Sequence, residues 1–123
     1  FFEGLRFCRV GYRISDISKA IQKHAEAHGY GIVRELVGHG VGHVLHEDPE
    51  VPNYYSPRSR QRLEAGMTIA IEPMINLGTA KVWQLEDGWT VTTQDGKPSA
   101  HYENSVAITE GDPILLTCSE EYR

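Results

Sequence analysis

Three histidines crowd one short stretch, GHGVGHVLHEDPE at residues 38–50. Two glutamates, Glu72 in TIAIEPMI and Glu103 in AHYENSVAIT, stand in apolar company further along. One imidazole nitrogen with two carboxylates makes an oxygen-rich donor set. It suits Mn, Fe, Co or Zn better than a thiolate-loving metal. A carboxylate between Ile71 and Pro73 is expensive to bury unless a charge or a metal pairs with it. Carboxylates also bridge two ions, an arrangement used for hydrolysis. We therefore expect one histidine of this stretch to converge with Glu72 and Glu103 on a metal site with hydrolytic chemistry.

Simpler readings of the histidines fare worse. The His39 to His43 spacing matches a zinc-binding helix, which also needs a glutamate beside the first histidine. Gly40 and Gly42 weaken such a helix by about 1 kcal/mol each, and no glutamate is adjacent. Gly38, Gly40 and Gly42 lack the spacing of a dinucleotide loop, and no Lys-Ser or Lys-Thr follows them. A histidine picked blindly is most often a solvated surface residue, and Glu103 alone reads as a half-exposed edge residue. The alternating glycines allow close backbone neighbours or positive φ. They would hold His39 and His46 on an extended or looped segment facing a cleft, with His43 turned elsewhere. Pro49 and Pro52 stiffen the exit.

The positioning elements follow from the patterning. Residues 1–10 read as the last turns of a helix with Phe1, Leu5 and Cys8 on one face, stopped by Gly11. Ser15 or Asp16 is placed to cap a second helix. Its buried stripe would be Ile17, Ala20, Ile21, His24, Ala25 and His28, with Gly29 as terminator. From Tyr30 onward the pattern turns extended and antiparallel. Residues 67–75 read as one strand, with Glu72 sharing a face with Thr68, Ala70 and Met74. Residues 89–93 read as a strand joined through Asp95-Gly96 to a hairpin partner at 100–109. Residues 114–118 read as another strand after the Glu110-Gly111-Asp112 turn. A helical layer on an antiparallel sheet gives an α+β class.

Composition narrows the partners. The formal net charge is −5, which argues against a nucleic-acid-binding surface. No apolar run approaches the roughly 20 residues needed to cross a bilayer, and Glu3 and Arg6 interrupt the apolar start. With only Cys8 and Cys118 there is no disulfide framework, so a reducing cytoplasm is expected. Glu120, Glu121 and Arg123 read as a polar tail.

Three segments, VGHGVGHVLHEDPEVPNY, LEAGMTIAIEPMI and DGWTVTTQDGKPSAHYENSVAIT, resemble in order and spacing the C-terminal half of the type I methionine aminopeptidases. The resemblance covers essentially all of residues 1–123. Prolidases and aminopeptidase P share the fold, but the IEPMI and DGWTV segments are similar to the methionine enzymes. The resemblance implies a pita-bread α+β fold, with residues 1–123 a partial catalytic domain. It implies removal of N-terminal methionine from nascent polypeptides by metal-hydroxide attack on the first peptide bond, with two divalent ions (Co, Mn, Fe or Zn) as cofactor. Carried over by motif, His39, Glu72 and Glu103 would be metal ligands, with Glu103 bridging both ions. Glu72 would relay a proton to the leaving amine. His46 would contact the scissile peptide and steady the developing charge. Leu45 and Trp89 would line the pocket for the methionine side chain.

The same resemblance implies two aspartate ligands and a further catalytic histidine from an N-terminal half. No segment here matches them, since Asp16, Asp48, Asp87, Asp95 and Asp112 lie in other contexts. The chain also opens at Phe1 in mid-pattern. We therefore expect a piece of a longer enzyme that does not cleave peptides alone, and whose exposed sheet edge and apolar surface favour self-association. The rival class is a non-enzymatic module of the same fold that binds peptides or protein partners and carries no stoichiometric metal.

Overall fold

In the computed structural model, residues 1–119 are described, so the expected polar tail at Glu120, Glu121 and Arg123 lies outside the described residues. Two helices, α1 (Phe2–Leu5) and α2 (Ile14–Ala27), precede ten short strands. These are β1 (Gly31–Ile32), β2 (Gly38–Gly40), β3 (Glu47–Val51), β4 (Thr68–Ile71) and β5 (Met74–Asn76). They continue as β6 (Val82–Gln84), β7 (Val91–Thr93), β8 (Ser99–His101), β9 (Asn104–Ala107) and β10 (Ile114–Leu115). The class is α+β, as expected, and every strand pair is antiparallel.

The first helix is shorter than its pattern. It ends at Leu5, and turns carry the chain to Gly11, whose φ of 102° suits only glycine comfortably. Cys8 is nonetheless buried in the core, with Phe1 and Leu5 packed against it. Burial pushes its thiol up to about 12, which leaves it unreactive. Both cysteines are free.

Helix α2 is capped at Arg13 rather than at Ser15 or Asp16. Asp16 contributes from the third helical position, where Oδ2 accepts the Arg13 backbone N–H at 2.8 Å. The buried stripe runs through Ile14, Ile17, Ser18, Ile21 and Ala25. His24 and His28 stand outside it, exposed, with ring centroids 4.6 Å apart, and Ala20 is only half-buried. Ser18 is fully buried and donates to the Pro52 carbonyl at 2.6 Å, which pins the helix to the chain after β3.

That stripe packs on a five-stranded sheet of order β10-β9-β4-β2-β3. Ile14, Ile17 and Ile21 meet Val51, Leu63, Ile69, Ile71, Val106 and Ile108 in one core. A strand's side chains alternate between faces, and Ala70 pairs with both His39 and Ser105. The face carrying Ile69 and Val106 is thus buried under α2, while His39 and Ala70 point to the opposite face.

The expected single strand over 67–75 is broken. β4 ends at Ile71, and β5 joins a separate sheet of order β1-β5-β8. Pro73 has no N–H to offer a ladder, which interrupts the pairing there. The expected strand over 100–109 is broken at the matching place, between His101 and Asn104. Tyr102 N–H donates to the Pro73 carbonyl at 3.2 Å across the gap. Ile71 pairs with Asn104 before the break and Met74 with His101 after it. The register is therefore unchanged, and Glu72 lies across the ladder from Glu103.

The expected hairpin between 89–93 and 100–109 does not form. β7 pairs with β6 through a turn at Asp87-Gly88, where Asp87 Oδ1 accepts the N–H groups of Trp89 and Thr90 at 2.9 and 2.8 Å. Asp95-Gly96 is also a turn, with Gly96 at φ 73°, but it leads from β7 into β8 of another sheet. The last expected strand shortens to β10, paired with β9.

Candidate metal centre

His39 is the middle residue of β2, between two glycines. A Cβ on Gly38 would collide with the Ala70 carbonyl oxygen, and one on Gly40 with the Asp48 carbonyl oxygen. Neither glycine has positive φ. Their purpose is close approach of neighbouring backbones, which seats His39 tightly against β3 and β4.

The ring is oriented by its own strand. Nδ1–H donates to the Gly40 carbonyl at 2.8 Å. The other ring nitrogen, Nε2, is left for a partner. It faces Glu72 Oε1 at 3.3 Å, and both side chains are only 12% exposed. A ring nitrogen and a carboxylate oxygen this close call for a proton or a metal cation between them. Glu103 stands opposite, and one donor atom from each of His39, Glu72 and Glu103 falls within a mutual 4.8 Å.

Glu72 is held from behind. The buried Asn53 amide donates to the Glu72 carbonyl at 3.2 Å. On the side-chain side, His101 Nε2 lies 3.1 Å from Glu72 Oε2 and 3.8 Å from Glu103 Oε2. Burial raises the Glu72 carboxyl above its ordinary range. The Glu103 charge adds to the rise, and His39 and His101 partly offset it. The donors are one nitrogen and carboxylate oxygens in a half-buried cluster. This chemistry fits a hard or borderline divalent cation.

The other expected site residues lie at different depths. His46 is exposed on the loop after β2, its ring centroid 4.2 Å from that of His39. Leu45 is 70% and Trp89 87% exposed, the latter in the β6–β7 turn. His43 lines a cavity with Gly66 and Met67 that adjoins the one lined by His39, His46 and Glu50, the two sharing Glu47 and Asp48. His101 and Asn53 were missing from the sequence reading. The signal for His101 was available, because it lies two residues before Glu103 on the same strand face. Nothing local marks Asn53.

Because a metal and a proton compete for the raised Glu72 carboxyl, acidification should weaken metal binding early. The loss begins above the ordinary glutamate value of 4.5. Calorimetric titration with Mn²⁺ in buffers of different ionisation enthalpy should show proton release on binding. An affinity unchanged between about pH 7 and pH 5 would contradict this.

Residues 2–110 match the family described as Metallopeptidase family M24. A methionine aminopeptidase from Clostridium perfringens is 54% identical over 117 residues, which are 95% of this chain and 47% of that protein. The crystal structure of a methionine aminopeptidase from Thermotoga maritima superposes with a TM-score of 0.91 at 43% identity, covering 96% of this chain and 47% of that one. A prolidase from Pyrococcus furiosus, 24% identical with a TM-score of 0.67 over 97% of this chain and 31% of that one, shares the fold. The chain spans about half the length of the curated relatives it matches. Among the described residues no helix is long and apolar enough to cross a membrane.

Proposed function

We infer, because this chain belongs to metallopeptidase family M24, that residues 1–123 furnish one half of a catalytic domain that removes N-terminal methionine from nascent polypeptides in the cytoplasm. The observation that carries the reading is His39 Nε2 at 3.3 Å from Glu72 Oε1, with a donor atom of Glu103 within the same mutual 4.8 Å. The sequence relatives, named as methionine aminopeptidases, support the choice of substrate.

In this reading His39, Glu72 and Glu103 would hold divalent cations, Co, Mn, Fe or Zn. Bound there, the ions would supply Lewis acidity and make water a nucleophile near neutral pH. The chain's own groups do the rest. Glu72 accepts a proton as water attacks the first peptide carbonyl and returns it to the departing amine. Its raised carboxyl suits that exchange better than an ordinary glutamate would. His46, beside His39 and open to solvent, donates a hydrogen bond to the charge developing on the carbonyl oxygen. Leu45 and Trp89 meet the methionine side chain. Their exposure, with that of Val44 and Trp83, also supports self-association of the isolated chain.

A hybrid tests this reading. Residues 1–123 replace the matching segment of the Clostridium perfringens enzyme, and a Met-Gly-Ser peptide is the substrate. The hybrid should release methionine, and the same hybrid with Glu103→Gln should lose at least about a hundredfold in turnover. The 123-residue chain alone should show no turnover with Co²⁺ or Mn²⁺, since it offers three of the expected ligands. A folded, metal-loaded hybrid that leaves the peptide intact would overturn the substrate assignment.

A further inference from the structure

We propose that His101 is a positioning residue for the metal centre, fixing Glu72 so that one carboxylate oxygen is left to face His39 while the other is held by the His101 ring. The inference rests on the metal reading above.

Glu72 divides its two oxygens between two histidines. Oε1 lies 3.3 Å from His39 Nε2 and Oε2 lies 3.1 Å from His101 Nε2. A carboxylate only accepts, so the His101 nitrogen facing it carries the hydrogen. The same Nε2 stands 3.8 Å from Glu103 Oε2, spanning the two acids. His101 is not among the three residues whose donor atoms lie within a mutual 4.8 Å. It therefore acts through Glu72 rather than as a fourth donor of that set.

The backbone fixes this arrangement. His101 is the last residue of β8 and pairs with Met74, just past the broken rung that carries the two glutamates. By strand alternation it shares their face. His101 also lines a cavity of about 320 Å³ whose walls mix apolar residues such as Val33 and Met74 with polar ones such as Thr93, Lys97 and Ser99. The terminal torsion of a glutamate is broad and nearly two-fold. Among the described residues, His101 is the hydrogen-bond partner of Oε2. Hydrogen bonds behind metal-binding side chains commonly govern affinity by 10- to 100-fold.

The test uses the 123-residue chain, titrated with Mn²⁺ against a fluorescent chelator, with the visible spectrum of the Co²⁺ form as a second readout. His101→Ala should weaken Mn²⁺ binding by about 10- to 100-fold and change the Co²⁺ bands. His101→Gln, whose amide still donates, should stay within about threefold of the parent and keep the bands. Unchanged affinity in His101→Ala would overturn the proposal. So would a natively melting His101→Gln as weak as His101→Ala, because the imidazole itself would then be required. If His101→Ala does not melt cooperatively, His101→Gln decides alone, retained affinity supporting and lost affinity overturning. A parent chain that takes up no Mn²⁺ or Co²⁺ would instead remove the metal reading itself, and this inference with it.

Discussion

Replacing Glu72 by glutamine should abolish divalent-metal binding and, in the metal-free chain, raise the thermal midpoint. Both effects have one origin. Glu72 and Glu103 lie across one ladder rung, where like charges repel, and Glu72 is further disfavoured as an anion by burial. Its folded value is raised above the unfolded one, so the metal-free fold is most stable below the unfolded value. Stability then falls as pH rises through the raised value. A glutamine is neutral throughout and removes that loss. It also removes a charged ligand, and affinity should fall by at least about 100-fold. Thermal melts at neutral pH with and without Mn²⁺ check both halves. The parent should gain stability from the metal and the variant should gain none. A variant that melts lower than the metal-free parent, or still shifts with Mn²⁺, would contradict the account.

The second large effect is expected at Gly38→Ala. The added methyl meets the Ala70 carbonyl oxygen, with the Val51 side chain 3.1 Å away. Backbone of a central strand cannot yield as a flexible side chain does, so β2 must move off β4 and carry His39 with it. Overpacking of this kind destabilises by about 1–3 kcal/mol or more. For a domain of this length that corresponds to a fall in midpoint of roughly 10 °C. Metal binding should weaken in parallel. Gly111→Ala is the control: no atom lies within 4 Å of its added methyl and its φ is not positive. That change should stay within about 0.5 kcal/mol. A Gly38→Ala chain that melts with the parent would show that β2 and β4 are not in contact as described.

How much of this was legible beforehand differed from residue to residue. His39, Glu72 and Glu103 were marked by donor type and by apolar neighbours, and the structure brings them together. The alternating glycines flagged a special backbone, but their pattern did not distinguish positive φ from close approach; the carbonyls of Ala70 and Asp48 decide it. The ladder break was harder to read. TIAIEPMI alternates smoothly, and only the missing N–H of Pro73 hints at an interruption. The two Asp-Gly pairs carry the same local signal. Which one closes a hairpin depends on distant pairing: β8 lies against β5, with Met74 opposite His101, and not against β7. On α2, period alone puts His24 and His28 in the buried stripe, but the buried face runs through Ile14, Ile17, Ser18, Ile21 and Ala25 and leaves both histidines in solvent.

The shared interruption at Glu72-Pro73 and Tyr102-Glu103 has a mechanical meaning. Two small sheets meet along a seam, and the two acids sit at the stitch, where the Tyr102 N–H donates to the Pro73 carbonyl. A cation caught between the carboxylates would act as a rivet through both sheets. Capturing the ion and stiffening the joint would then be one event.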